Sequence, residues 1–169
     1  MARHIPGLGD LRPDPDVPEW SVSQPVRVSL FAGAALRFVV TVDDDSPDLF
    51  AAIEQFLGLA DRDRLAASDR VCENYRTFLD VADIEPLDVA TPSEIWRFVT
   101  PTEVRVDRRS RRDEAIYVTV ACECEWEPEH GLQLVFRRGS VLSRVSEQDG
   151  HLTHADAYAL PDDQDPGLR

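Results

Sequence analysis

Over residues 102–145 the apolar positions of this chain alternate. Ile116, Val118, Val120, Cys122, Cys124 and Trp126 share one parity. Leu132, Leu134 and Phe136 continue after a Glu-His-Gly turn, and Arg138-Gly139 leads into residues 141–145. Successive strand side chains point to opposite faces, so this pattern gives each strand one apolar face; on a helix the same residues would scatter. It predicts an antiparallel β-meander of about four strands. Asp149-Gly150 is a further hairpin signal.

The earlier segments carry other periods. Val26 and Val28, then Leu36, Phe38 and Val40, alternate on either side of Ala32-Gly33-Ala34, which predicts a β-hairpin. Ser46-Pro47-Asp48 supplies a helix cap and a proline at the first helical position. Leu49, Phe50, Ile53, Phe56 and Leu57 then share a face, and Gly58 marks the stop. A second helix is predicted from Arg62 to Ala82, burying Leu65, Val71, Cys72, Tyr75, Phe78 and Leu79. Thr91-Pro92-Ser93-Glu94 reads as a capping box opening a short helix through Ile95, Trp96 and Phe98.

The fold class expected is therefore α+β: an antiparallel β-meander packed against two or three helices, with an N-terminal β-hairpin that either extends the sheet or caps the helices. Residues 1–25, rich in proline, read as an extended N-terminal arm with Trp20 available to pin it. Residues 26–160 form a single α+β domain, and residues 161–169 read as a disordered acidic tail.

Charge narrows the function classes. The formal net charge is −14, of which arm and tail carry −4 and the body −10. That excess disfavours nucleic acid, whose phosphates need clustered cations, and it suits a basic protein partner. All 18 basic residues are arginine. The lack of lysine excludes Schiff-base chemistry, a phosphate-loop lysine and the kinase lysine. Gly-x-Ser-x-Gly, dinucleotide and His-Glu-x-x-His motifs are also missing. A non-catalytic protein that needs no cofactor is the expectation. No apolar run approaches the roughly 20 residues that span a bilayer, so no membrane association is expected. The first nine residues lack an apolar signal core, and Cys72, Cys122 and Cys124 are an odd set of thiols; both suit the cytoplasm.

Four constellations carry candidate chemistry. The first gathers Trp126, Glu127, Glu129 and His130 with His151 and His154. If the turns at 126–132 and 148–154 meet at one sheet end, Glu129, His130, His151 and His154 could bind a divalent metal such as zinc or set an acid/base pair. The alternative is that Glu129 and His130 satisfy backbone groups while Gly131 supplies a positive φ. Arg105, Arg108, Arg109, Arg111 and Arg112 concentrate at one hairpin tip, either as an anion clamp or as a solvated loop. Cys122-Glu123-Cys124 resembles a metal half-site, but strand parity sends both sulfurs to the apolar face. Glu123, Glu125 and Glu127 project from the opposite parity as an acidic ladder.

The stretches Ser93-Glu94-Ile95-Trp96, residues 99–103, Cys122 through Leu132 and Asp149-Gly150-His151-Leu152 together resemble a bacterial family of unknown function. Its mark is the signature Trp-x-x-Glu-His-Gly-Leu, here residues 126–132, and the likeness covers most of residues 26–160. The resemblance implies no activity. By size and charge the chain is also similar to immunity proteins that neutralise secreted toxins. Two functions follow: a binding domain acting through an acidic surface that includes Trp126, Glu127, Glu129, His130, His151, His154, Arg108 and Arg109, or a small metal-dependent enzyme built on the histidines.

Overall fold

A computed structural model describes residues 3–169. The chain opens with a hairpin of β1 (Arg3–Ile5) and β2 (Gly9–Pro13), then β3 (Ser21–Val22), then the hairpin of β4 (Val26–Val28) and β5 (Ala34–Val40). Helices α1 (Pro47–Leu57), α2 (Asp61–Ala66) and α3 (Ser68–Leu79) follow, with a 3-10 helix at Pro92–Phe98. The alternating region builds β6 (Val99–Arg108), β7 (Ile116–Cys124), β8 (Leu132–Arg137) and β9 (Val141–Ser146), antiparallel neighbours in that order. Helix α4 (His154–Tyr158) and 3-10 turns at Asp162–Gln164 and Pro166–Leu168 close the chain.

Among the described residues all the strands join one nine-stranded sheet in the order β1-β2-β3-β5-β6-β7-β8-β9, with β4 pairing β5 off this path. The fold is α+β, a mostly antiparallel sheet with helices. Its β5–β6 pair is parallel, setting Phe38 beside Val104 and Val40 beside Val106. Parallel neighbours need a long crossover, and residues 41–98 supply it with α1, α2 and α3. Periodicity identifies strands but not their partners. The hairpin of β4 and β5 extends the sheet through this parallel pair.

One face of the sheet makes the main core. Phe38, Val40, Val104, Val106, Val118, Val120, Cys122, Leu134 and Phe136 meet Leu49, Ile53 and Phe56 of α1 and Val71, Cys72 and Tyr75 of α3. Phe56 stands edge-on to Phe38 and Phe136, with centroids 6.0 and 5.6 Å away. The sulfurs of Cys122 and Cys124 lie here, as strand parity requires. Burial pushes both thiols above their ordinary range, Cys124 to about 11.

The helices depart from expectation in detail. The predicted 62–82 helix breaks at Ala67 into α2 and α3, where the Trp96 indole donates to the buried Ser68 hydroxyl at 2.9 Å. Helix α1 begins at Pro47, but the Ser46 side chain does not cap it. Its hydroxyl instead accepts from Arg108 Nη2 at 2.9 Å. At Thr91 the Glu94 half of the box forms, with Oε2 accepting from the Ala90 and Thr91 amides, and the helix is 3-10.

Both ends of the described chain, which runs from Arg3 to Arg169, belong to the fold. The arm expected over residues 1–25 holds β1, β2 and β3 within its described part; Ile5, Leu8 and Leu11 are buried in the main core. Arg3 donates to the carbonyls of Val42 and Asp44 and pairs with Asp45. Arg105 lies 4.6 Å from the Trp20 ring. Asp14 Oδ1 accepts from the amides of Asp16 and Val17, a turn in which the prolines punctuate strands instead of preventing them. The tail expected to be disordered is packed as well: Asp165 is 1% exposed and accepts from Ala155 N and Gly167 N, both at 2.8 Å. Leu168 and Leu152 cover Ala115, Tyr117 and Val135 on the second face of the sheet. Asp149-Gly150 makes a turn without a following strand, and the chain enters α4 through Thr153, whose hydroxyl accepts Asp156 N. No described helix is long and apolar enough to cross a membrane.

Candidate functional site

The arginine-rich tip between β6 and β7 turns Arg109 inward, while Arg111 and Arg112 stay exposed. The Arg109 side chain is 2% exposed and forks onto Asp156 (2.8 Å at both oxygens) and Asp162 (2.9 and 2.8 Å). Arg112 also bonds Asp162 and donates to Leu160 O. The Arg109 bonds, partly opposed by burial, hold the Asp162 carboxyl down at about 2 and lower Asp156 in the same way. Arg108 reaches Asp48, Asp44 and Ser46, which ties the tip to the start of α1. Arg109 is therefore a buried clamp, and Arg108 a partly exposed one whose guanidinium is already engaged. Bidentate pairs of this kind fix geometry as well as charge.

The turn at 126–132 is mostly architecture. Trp126 is 1% exposed; its indole donates to Asn74 Oδ1 at 3.0 Å and its ring lies 5.5 Å from Tyr75, which docks the turn on α3. Glu127 leaves the acidic ladder and folds back. Its Oε1 accepts from the amides of Glu129 and His130. Gly131 has φ +63° and lies against Cys122 O and Gln148 Nε2. Gln148 Nε2 donates to Cys122 O, and Gln148 N donates to His130 O at 3.2 Å. These bonds join the 126–132 turn to the segment after β9.

What the turn borders is a cleft of about 480 Å³. One wall is a stripe of α3 at helical spacing, Arg70, Glu73, Asn74, Thr77 and Phe78, continued by Val81. The other is residues 143–147 of the sheet's last strand and its extension. Glu127 and Gly131 close one end, and His154, Tyr158, Asp165 and Pro166 line the rest. Two large side chains stand out from it, Val81 at 81% and Tyr158 at 63% exposure. The arginines of the lining are engaged: Arg70 donates to Leu142 O and Ser143 O, and Arg144 to Asp149 and His151 O. Burial raises the Asp149 carboxyl, but the Arg144 bond, the His151 amide and the Arg144 charge together outweigh it and leave the group lowered.

Ligand-type atoms of Glu127, His130 and Glu147 lie within 4.8 Å of one another. His130 Nδ1 is 3.6 Å from Glu127 Oε1. Glu129, His151 and His154 are not in that group; Glu129 and His151 are exposed, and His154 stacks on Tyr158 with centroids 4.4 Å apart. Of the residues singled out by sequence, Glu127 and His154 line the cleft, Trp126 supports it from behind and His130 sits beside Glu127. Glu73, Glu147, Val81 and Tyr158 were missed. The Thr153-x-x-Asp156 cap was a legible sign that a helix, and with it Tyr158, follows the turn.

No curated protein and no solved structure matches the chain. The profile of one family covers residues 7–152, from the β1–β2 turn to the end of the 148–152 segment, and the chain belongs to that family, the domain of unknown function DUF6985.

Proposed function

We propose that this is a non-catalytic protein-binding domain that receives a basic partner at the cleft between α3 and β9. The observation that carries the reading is the lining of that cleft: carboxylates at Glu73, Glu127 and Glu147 beside the exposed apolar surface of Val81 and Tyr158. An aromatic anchor flanked by charge is the composition of an energetically productive interface. The surplus of acid in a −14 chain steers a cation toward it. A basic protein partner is also what an immunity-like role requires. The reading sets the domain in the cytoplasm, where its three buried thiols remain free.

The test is a labelled peptide alternating arginine and valine, titrated at low and high salt. Binding should weaken with salt, and Glu73→Gln/Glu147→Gln should weaken it about tenfold. Asp43→Asn, an acid outside the cleft, should leave it unchanged. Equal losses from both variants would reduce the interaction to net charge and overturn the reading.

A second reading is favoured by the Glu127–His130–Glu147 group: a divalent metal held by one imidazole and two carboxylates, in place of the four-residue histidine cluster. It predicts stoichiometric zinc or manganese and a thermal midpoint that falls with chelator. His130→Ala should abolish both effects. A melt unmoved by chelator and added zinc, with no metal by elemental analysis, rejects it.

A further inference from the structure

We propose that the partner enters the cleft as an extended segment that adds to the free edge of β9, with a basic side chain set between Glu127 and Glu147. The proposal rests on the reading of the cleft as the partner site and specifies the chemistry of the occupant.

The edge is the first observation. β9 ends the sheet and pairs only with β8 among the described residues, and its residues 143–146 line the cleft. An uncovered edge is a ready template for another extended chain, and proteins usually blunt such edges. Here the blunting is partial. Arg70 covers Leu142 O and Ser143 O. The 3-10 turn at Pro166–Leu168 brings Gly167 so close to Ser143 O that no side chain fits there. The protein's own main chain thus already packs against the start of this edge. From Val145 to Glu147 the wall is half-exposed to exposed and borders the cleft.

Charge is the second observation. Arg144 is tied to Asp149 by Nη1 and Nη2, at 2.6 and 2.5 Å, and Arg70 is spent on carbonyls. Glu127 and Glu147 have no arginine partner among the described residues, although their carboxylates approach within 4.8 Å with only His130 beside them. Glu127 is held in place by the Glu129 and His130 amides. One carboxylate held in place and a second within 4.8 Å of it fit an arginine or lysine head group. The exposed ring of Tyr158 and the Val81 side chain offer apolar contact along the same cleft. A strand presents alternate side chains to one side, so an alternating basic and apolar segment matches edge, acids and rim together.

The probe is the arginine–valine peptide, compared with the same sequence N-methylated at alternate amides, which keeps every charge but cannot complete a ladder. Both are measured with and without chelator, against the wild-type chain and against Glu127→Gln/Glu147→Gln. The proposal expects the methylated peptide to bind about tenfold more weakly than the parent, and the double variant to bind the parent about tenfold more weakly than wild type. Equal affinity for both peptides overturns strand addition and leaves the cleft reading standing. A methylation effect without loss in the double variant overturns the place given to the basic side chain. If neither peptide binds at low salt, the proposal and the reading beneath it both fail, and binding that vanishes with chelator assigns the two carboxylates to a metal instead.

Discussion

Arg109 is the residue on which most of the second sheet face turns. Its guanidinium is nearly inaccessible, and its partners Asp156 and Asp162 are 29% and 36% exposed. Removing one partner of a fully buried pair costs about 3–5 kcal/mol, and the partial exposure of the aspartates lowers that for Arg109→Ala to about 2–4 kcal/mol. Denaturant unfolding should show it as a lower midpoint. Arg109→Lys should recover only part of the loss, because an ammonium cannot serve two carboxylates in bidentate fashion. Gly131 is the second such residue. A Cβ there would lie 2.5 Å from Cys122 O and 2.6 Å from Gln148 Nε2, in a left-handed conformation. Gly131→Ala is expected to cost about 1–3 kcal/mol, read in the same experiment. Sequence identified the positive φ at Gly131, since glycine between two alternating runs signals it. It did not identify Arg109, because five arginines close together read as a solvated tip and nothing local says which one meets acids some fifty residues away.

At the scale of elements, the alternating region and α1 were legible because their apolar residues repeat often enough to fix a period. The short strands were not. β1 and β3 contribute few buried residues each, and long-range pairing rather than local pattern holds them. The C-terminal segment was illegible for a related reason: its anchors are carboxylates, Asp156, Asp162 and Asp165, which in isolation read as soluble tail. That anchoring makes a pH prediction. Bonds from Arg109 lower the folded carboxyls of Asp156 and Asp162 below the ordinary 3.8, Asp162 to about 2. A depressed folded pKa contributes stability that is present above the unfolded value and lost as pH falls through the folded one. Residues 153–169 should therefore stay protected from hydrogen exchange at neutral pH and lose protection first as pH drops from about 4 toward 2. Arg109→Ala should remove most of this pH dependence. Protection that is flat over that range in the wild-type chain would mean that Leu152 and Leu168, not the aspartates, hold the segment.

For the whole molecule, charge was legible and its placement was not. A −14 chain without lysine pointed to a cationic partner from composition alone. Composition could not separate acids that neutralise arginines, such as Asp48, Asp149 and Asp162, from Glu127 and Glu147, which meet none among the described residues. The turn at 126–132 borders one end of the cleft. The opposing wall came from α3, some fifty residues earlier, and only the tertiary fold brings it there. The account's central claim is that a basic segment binds between α3 and β9. Its most direct test is an amide hydrogen-exchange footprint of the arginine–valine peptide on the intact chain. The account predicts new protection at residues 143–147, with smaller effects along residues 70–81 and around Glu127 and Tyr158. Protection centred on another acidic stretch, such as Asp43-Asp44-Asp45, or none at a saturating peptide concentration, would contradict it.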